Sequence, residues 1–367
     1  MILLIYKRIC CIILAKDVIN MVFFSKLKGM FNYYIIEYPK IRLEKFNSLC
    51  LGANPKANIF TKIRHAFGFI YNLIFYKCTL SDYFLFSFYT KSAAEKKTYA
   101  SGFLNHEFAY YADDSDTIEK CADKAFMSEL LKPYLGREYL VSDAMTFDEF
   151  RAFTSKNPDF LFKPVDGSRG RGIEKWHCTA ENIDELFNTA KENPAILDEL
   201  IVQHPDVSAV CPASVNTIRY YAYRKGEEIV TMGCVFRMGR GTACIDNYST
   251  GGIAATIDPD TGRIIAPAED IYAKRYDEHP YSHIKLVGYQ IPLWDKVKEL
   301  IQACTKDYPL NYVGWDVAVR ENDCVIVEAN PIGGFQAVQV AGAGGKRELM
   351  EELMEFAKAH PEYKRTL

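Results

Sequence analysis

The chain has 367 residues, of which 49% are hydrophobic and 25% are charged. That length predicts roughly two or three structural units with a sizeable core, and it excludes a disordered tail or a disulfide-stapled miniprotein. Lys and Arg (44) nearly balance Asp and Glu (47), and the net charge of −3 argues against a general nucleic-acid binder. The 11 cysteines form no CxxC pair, which indicates reduced thiols, so we expect a cytoplasmic protein.

The N-terminus is apolar but does not have the pattern of a membrane span. Its uncharged run, Ile9–Ala15, is much shorter than the about 20 apolar residues that cross a bilayer. Lys7 and Arg8 lie inside the apolar stretch rather than before it, and no small-residue cleavage site follows, so a signal peptide is also disfavoured.

Charge is distributed unevenly along the chain. Residues 1–80 contain 12 Lys and Arg against three Asp and Glu, and residues 60–89 contain eleven Phe and Tyr. Two interpretations of this basic, aromatic region stay open. It could be a helical subdomain with inward aromatics and solvated lysines, or a peripheral contact with anionic lipid at the inner face of the membrane. No nucleic-acid-binding module is recognisable, so we expect no nucleic-acid partner.

Helical patterns dominate residues 1–110, whereas helices and strands alternate from residue 115 onward. Such an order indicates an α+β or α/β fold. The predicted elements are helices over Ser92–Gly102, from Asp116 towards Leu131, after the capping box Thr146–Glu149 and over Ala180–Lys191, and strands over Glu138–Val141, Phe160–Lys163 and Ala195–Val202.

A glycine-rich segment follows the strand that ends at Lys163. Gly167, Gly170 and Gly172 fall within six residues, so backbone N–H groups could approach an anion closely, and Arg169 adds positive charge. The segment is neither a Walker loop nor a GxGxxG dinucleotide motif. A phosphate-binding loop and a plain glycine-rich hairpin turn both fit this pattern.

Two apolar strands around the polar turn at residues 320–324 predict a β-hairpin. If the hairpin is centred on Asn322, then Asp316 and Glu328 face each other with Cβ atoms about 5 Å apart. Asn330, two residues beyond Glu328, points to the same side of the sheet. Opposed carboxylates in an apolar setting repel, so one should be pushed towards protonation unless a cation binds.

An all-oxygen ligand set of this kind favours Mg²⁺, with Mn²⁺ as the alternative, over zinc. The other interpretation of the hairpin is that both carboxylates face solvent while the apolar residues of the strands face inward.

Two further strands complete the pattern: Asn216-Thr217-Ile218-Arg219 begins one, and Val235-Phe236-Arg237 lies in the next. In this order the segments resemble the ATP-grasp superfamily, most closely its sugar-transfer-associated group, over roughly residues 80–345. The resemblance implies an α+β ATP-grasp fold, in which two α+β subdomains clasp ATP, behind a mainly helical N-terminal region. We therefore expect domains at 1–110 (helical), 111–203 (glycine loop) and 204–367 (metal site and C-terminal helix).

The resemblance also implies the roles of individual residues. Lys124 and Lys163 would bind phosphate, and Asp316, Glu328 and Asn330 would bind magnesium. The loop closing over the phosphates would contain Gly167, Ser168, Arg169, Gly170 and Gly172. The hinge that binds adenine and ribose would contain Asp198, Glu199, Leu200 and Ile201. For His204, just past the hinge, a ribose contact and a plain surface position both stay open. The Asp-Glu order at the hinge departs from the family's usual pattern, which leaves open which acid contacts adenine or ribose.

Arg219 and Arg237 would stabilise charge on the transferred phosphoryl group, and Asn247, Gly251 and Gly252 would contact substrate. The implied activity is an ATP-dependent ligase that joins a carboxylate to an amine or hydroxyl through an acyl phosphate, with a building block of surface polysaccharide as substrate. The alternatives are a phosphotransferase on the same scaffold and a non-catalytic nucleotide-binding assembly protein.

Overall fold

The computed structural model describes residues 39–165, 172–241, 251–340 and 343–367. These residues form two compact units. The first contains residues 39–97 together with 272–274, and the second contains residues 98–271 and 275–367.

The described part of the first unit is mainly helical, as expected. Its helices are α1 (Pro39–Ala53), α2 (Ile59–Tyr76), α3 (Leu80–Leu85) and α4 (Ala93–Lys97). Asn58 caps α2 by accepting from the Thr61 backbone N–H, and Thr79 and Asp82 form a capping box on α3. No helix in the described ranges has both the length and the apolar content needed to cross a bilayer.

The aromatic side chains of this unit divide between its interior and its surface. Phe69, Tyr83 and Phe84 are buried and pack edge-on or tilted against neighbouring rings, whereas Phe60 and Phe67 on α2 are exposed. The inward-packing interpretation therefore accounts for only part of the region.

The second unit alternates helices and strands. Its helices are α5 (Gly102–Ala112), α6 (Ser115–Cys121), α7 (Lys124–Leu135), α8 (Phe147–Lys156), α9 (Ile183–Glu192), α10 (Pro205–Val210), α11 (Trp294–Asp307) and α12 (Arg347–Ala359). Its strands are β1 (Tyr139–Val141), β2 (Asp159–Pro164), β3 (Glu174–His177), β4 (Ala195–Glu199), β5 (Thr217–Lys225), β6 (Glu228–Met238), β7 (Ile253–Ile257), β8 (Ala268–Glu269), β9 (Arg275–Tyr276), β10 (Tyr312–Val319) and β11 (Cys324–Asn330).

The strands make two antiparallel sheets. The smaller has the order β1-β4-β2-β3, and the larger has the order β11-β10-β5-β6-β7-β8-β9. Both faces of the larger sheet are packed: residues such as Trp315 pack with α7 and α11, and residues such as Tyr312 pack with α5 and α12. Because side chains alternate along a strand, Asp316 points to the same face as Tyr312. The site residues of β10 thus share a face with one of the two cores.

Two predicted helices are interrupted. The helix expected over Ser92–Gly102 stops at Lys97, and α5 starts after Ser101, whose side chain accepts from the Leu104 backbone N–H. The helix expected from Asp116 towards Leu131 is split because Asp123 caps α7. In both places a capping side chain competes with helix continuation by satisfying the first N–H groups of a new helix.

Other predicted elements are confirmed with small boundary shifts. The capping box of Thr146 and Glu149 opens α8, and strands occur at all three predicted positions between residues 138 and 202. The predicted helix over Ala180–Lys191 begins three residues later, at Ile183.

Candidate active site

The β10–β11 hairpin has the predicted pairing at its open end. Asp316 lies opposite Glu328, and Gly314 lies opposite Asn330. Nearer the turn the register shifts by one residue, so that Val317 faces Ile326 and Val327 is the extra residue of a bulge. Without this bulge Asp316 would face Val327, and Glu328 would point to the other side of the sheet.

Asp316 is held by two arginines from the neighbouring strands. Arg219 on β5 donates to both carboxylate oxygens, Nε to Oδ1 at 2.5 Å and Nη2 to Oδ2 at 2.8 Å. Arg237 on β6 donates from Nη1 to both oxygens at 2.9 Å. Burial by itself would raise the pKa of Asp316, but the two guanidinium groups outweigh it and lower the pKa below its usual value. Asp316 is thus buried as an anion.

Glu328 differs from Asp316 in having no direct partner among the described residues. Its carboxylate makes no hydrogen bond or ion pair within the described part of the chain. Burial raises its pKa, the nearby charge of Asp316 raises it further, and Arg219 and Lys163 only partly offset this. The prediction that one of the two opposed carboxyls is pushed towards protonation is confirmed. The interpretation in which both carboxylates face solvent is wrong, because Asp316 is only 4% exposed.

Asn330 completes the ligand set expected from sequence. Its Nδ2 donates to the Gly314 carbonyl at 3.2 Å and to Asp316 Oδ2 at 3.4 Å, while its Oδ1 has no hydrogen-bond donor among the described residues. Two oxygen groups, the Glu328 carboxylate and the Asn330 amide oxygen, are therefore uncommitted on one face. The structure contains no cluster of three or more His, Cys, Asp or Glu suited to a metal within its described ranges.

The two predicted phosphate lysines meet at the end of β2. Lys124, at the start of α7, donates to the Pro164 carbonyl at 2.5 Å, and Lys163 forms an ion pair with Asp198 on β4. Lys163 also lies close enough to Glu328 to lower the pKa of that carboxyl, so the smaller sheet approaches the hairpin. Of the glycine loop, Gly172 is described, with a φ of +75°. The predicted Gly167, Ser168, Arg169 and Gly170 lie outside the described residues.

The predicted hinge begins in the last two residues of β4 and continues past the end of that strand. Asp198 is buried by its cationic partners, and Glu199 accepts the backbone N–H of Glu138 at 2.8 Å. The backbone groups of Leu200 and Ile201 make no hydrogen bond within the described ranges, so they are available to a ligand. The ring of His204 accepts the Asp206 backbone N–H at 3.2 Å and caps α10.

Two of the predicted substrate contacts, Gly251 and Gly252, lie beyond the Arg237 end of the larger sheet. Ile253 pairs with Met238, which places Gly251 and Gly252 just past that end. Gly251 has a φ of +117°, a conformation that favours glycine. Asn247 lies outside the described residues.

Arg137 was not predicted from the sequence, although its side chain is only 4% exposed. Nε and Nη2 donate to the two oxygens of Asp198 at 2.7 and 3.1 Å. Nη1 donates to the carbonyls of Leu135 and Ile326 at 3.2 and 2.7 Å, and Nη2 donates to that of Val327 at 3.3 Å. All five N–H groups of the guanidinium are used. Arg137 therefore connects the hinge strand to the bulge that places Glu328 opposite Asp316.

Residues 176–355 match the family described as "Sugar-transfer associated ATP-grasp". No curated protein matches the chain. Similar solved structures include the ATP-grasp ligase PsnB complexed with minimal precursor, Mg and ADP (14% identity, 67% of this chain and 62% of that chain, TM-score 0.41). They also include the macrocyclase MdnC from Microcystis aeruginosa MRC, bound with precursor peptide MdnA (14% identity, 66% of this chain and 63% of that chain, TM-score 0.37). A third is the D-alanine–D-alanine ligase from Bacillus anthracis complexed with ATP (11% identity, 66% of this chain and 68% of that chain, TM-score 0.41). This chain spans less than two thirds of the PsnB and MdnC chains.

Proposed function

Since the chain belongs, through residues 176–355, to the sugar-transfer-associated group of the ATP-grasp superfamily, we propose that it is an ATP-dependent ligase. In this proposal it joins a carboxylate to an amine or a hydroxyl through an acyl phosphate. The observation that carries the proposal is the cluster on one sheet face: two opposed carboxyls, of which one is uncommitted, beside two arginines and Lys163.

The donor set fits a magnesium ion bound together with a nucleotide. The Glu328 carboxylate and the Asn330 amide oxygen are both uncommitted oxygen ligands, the kind that Mg²⁺ prefers, with Mn²⁺ as the alternative. When bound, magnesium-ATP would supply the phosphoryl group that activates the carboxylate substrate. Burial and the charge of Asp316 disfavour the ionised form of Glu328, and a cation bound at this position would stabilise that form.

Arg219 and Arg237 have a double role in this proposal. Burial alone would lower the pKa of Arg219, but Asp316 raises it well above its usual value, so the guanidinium stays charged. In the ligand-free arrangement the two arginines neutralise Asp316. For Asp316 to ligate a cation, at least one of them has to turn to other negative oxygens, and phosphate oxygens are suitable acceptors for a guanidinium.

The nucleotide base fits the hinge. Leu200 and Ile201 offer uncommitted backbone donors and acceptors next to the end of β4, which suits adenine recognition. Asp198 is committed to Lys163 and Arg137, so we assign ribose or adenine contact to Glu199 rather than to Asp198. His204 would contact ribose only through the ring nitrogen that does not cap α10.

The family description favours a sugar-linked substrate, and we propose a sugar or amino-acid building block of a surface polysaccharide. The acceptor would be a small amine or hydroxyl compound, and the reaction would occur in the cytoplasm, at the inner face of the membrane. Asn247, Gly251 and Gly252 are the residues we assign to this substrate.

The test compares the thermal stability of the wild type and Glu328→Gln, with magnesium plus a non-hydrolysable ATP analogue. At about a hundred times its Kd the ligand should stabilise the wild type by about 2.7 kcal/mol. The variant should lose the magnesium-dependent part of this shift, whereas Glu321→Gln, an exposed glutamate in the turn of the same hairpin, should retain it. A folded wild type without any magnesium-dependent shift would contradict the proposal.

A second measurement separates a ligase from its alternatives. ADP release that requires both a carboxylate and an amine or hydroxyl, with a joined product, supports the ligase. A stable phosphorylated product without joining would identify a phosphotransferase instead. Nucleotide binding without ADP release for any carboxylate would indicate a non-catalytic binding protein.

A further inference from the structure

Helix α2 presents its large apolar side chains to solvent. Of its eight exposed residues seven are large and apolar and the eighth is Arg64. Three phenylalanines are among the most exposed, Phe60 at 77%, Phe67 at 64% and Phe75 at 65%. The apolar face of α2, as we use the term, consists of Ile59, Phe60, Ile63, Phe67, Tyr71, Ile74 and Phe75. Their spacing places them on one side of a 3.6-residue helix.

The opposite side of α2 faces the interior of the first unit, and it carries two polar side chains beside the buried Phe69. His65 is 2% exposed and its Nδ1 lies 3.2 Å from the Tyr83 hydroxyl on α3. Asn72 is also 2% exposed and donates to the Gly68 carbonyl at 2.7 Å. An ordinary surface helix buries its apolar side and exposes its polar side. Helix α2 departs from this rule because most of its large apolar side chains are exposed, which indicates that its apolar face has a partner other than the described residues of the unit.

The charges around this face identify the kind of partner. Helix α2 contains Lys62 and Arg64 and no acidic residue, and the exposed Lys56 and Lys77 lie just beyond its two ends. Residues 39–97 contain ten Lys and Arg against three Asp and Glu. Two of those acids are engaged locally, Asp82 in the cap of α3 and Glu95 with Ser92. The unit that carries the apolar face is therefore basic, and four of its cations lie in α2 or just beyond its ends.

We propose that the apolar face of α2 lies on an anionic lipid bilayer, with the helix in the plane of the interface. Apolar and aromatic side chains would enter the boundary between headgroups and acyl chains, and the lysines and arginines would contact lipid phosphates. Arg64 can remain within the apolar face because its long side chain reaches the headgroup layer. This inference concerns the first unit alone and does not depend on the proposed ligase activity.

A second copy of the chain is a less suitable partner for the apolar face of α2 than an anionic bilayer. Two α2 helices packed face to face would bring the basic residues of both copies together without an acidic residue on either helix to pair with them. Such like charges oppose association, whereas an anionic surface attracts all of them.

The test is sedimentation of the full chain with phosphatidylcholine vesicles, with and without phosphatidylglycerol. We expect binding to the mixed vesicles at low salt and little binding to pure phosphatidylcholine. Arg64→Glu changes the charge by two units and should weaken binding to the mixed vesicles by about thirtyfold, at about 1 kcal/mol per charge. Replacing Phe60, Phe67 and Phe75 together by Ser should reduce binding by about tenfold or more.

Leu43→Ser is the matched control, because Leu43 is 62% exposed on α1 of the same unit but lies outside the apolar face. It should bind vesicles as the wild type does. The exposed positions of the triple variant make unfolding unexpected, and an unchanged circular dichroism spectrum checks this.

Three outcomes would overturn the proposal. The first is a full chain that stays in the supernatant with phosphatidylglycerol vesicles at low salt. The second is a triple variant that binds as tightly as Leu43→Ser. The third is a wild-type dimer that becomes monomeric in the triple variant without any vesicle binding, which would show that a second copy covers the face.

Discussion

Replacement of Arg137 by Met tests whether the connection between the hinge strand and the bulged hairpin stabilises the second unit. Methionine has a similar length but no donors, so Asp198 would keep only Lys163, and the carbonyls of Ile326 and Val327 would lose a buried donor. Removing one partner of a buried charged network costs about 3–5 kcal/mol. For a unit of this size that is a fall in Tm on the order of 10 °C.

The matched control is Arg320→Met. Arg320 also donates to a carbonyl in this region, that of Gly136, at 2.7 Å, and it pairs with Asp323. Its side chain is 29% exposed and that of Asp323 is 52% exposed, so solvent screens the pair and the loss should be within about 1 kcal/mol.

The assay is denaturant unfolding of the full chain followed by tryptophan fluorescence. The three tryptophans, Trp176, Trp294 and Trp315, all belong to the second unit, so their signal reports on the part of the chain that contains Arg137. If Arg137→Met loses no more stability than Arg320→Met, then the five buried hydrogen bonds do not hold the two sheets together and the reasoning is refuted.

Two further perturbations test buried groups of the second unit. Burial raises the pKa of Asp113 to about 7, although its carboxylate accepts two backbone N–H groups at the start of β10. Because the folded pKa lies above the unfolded value, the contribution of Asp113 to stability should be complete below about pH 4 and should fall by up to about 4 kcal/mol as the pH rises to about 7. Asp113→Asn should abolish this dependence of the free energy of unfolding on pH, measured by denaturant unfolding between about pH 5 and 8. An unchanged dependence would mean that another group causes it. Gly136 ends α7 with a φ of +56°, and an added Cβ would lie 2.6 Å from Val325 Cγ1. Gly136→Ala should therefore lower the free energy of unfolding by more than the about 1–2 kcal/mol of left-handed strain alone. Gly226→Ala, with a φ of +65° and its nearest contact at 3.5 Å, should lose only the free energy of that strain. Equal losses for the two variants in denaturant unfolding would show that the hairpin moves to accommodate the methyl group.

Local signals in the sequence were sufficient for much of the second unit. The capping box at Thr146 and Glu149 and the alternating apolar strands depend on neighbours within a few residues, so they could be identified without knowledge of the fold. The β10–β11 hairpin was predictable for the same reason, since the turn that joins the two strands lies between them.

The bulge shows where this reasoning was incomplete. The pairing is as predicted at Asp316 but shifted by one residue nearer the turn, and the bulge that reconciles the two parts is bonded by Arg137 from a distant segment. A single arginine after a helix-ending glycine has no distinctive local pattern, so its role could not be found from the sequence.

The sequence by itself determined the order of elements, the β10–β11 hairpin and the similarity to the ATP-grasp superfamily, because these depend on residue types at short or fixed spacings. Only the tertiary structure decided that Arg219 and Arg237 both bind Asp316, that Glu328 has no hydrogen-bond or ion-pair partner among the described residues, and that α2 turns its aromatic side outward. Each of these depends on which face of an element meets which neighbour, and such contacts join residues far apart in the chain, beyond the reach of local periodicity.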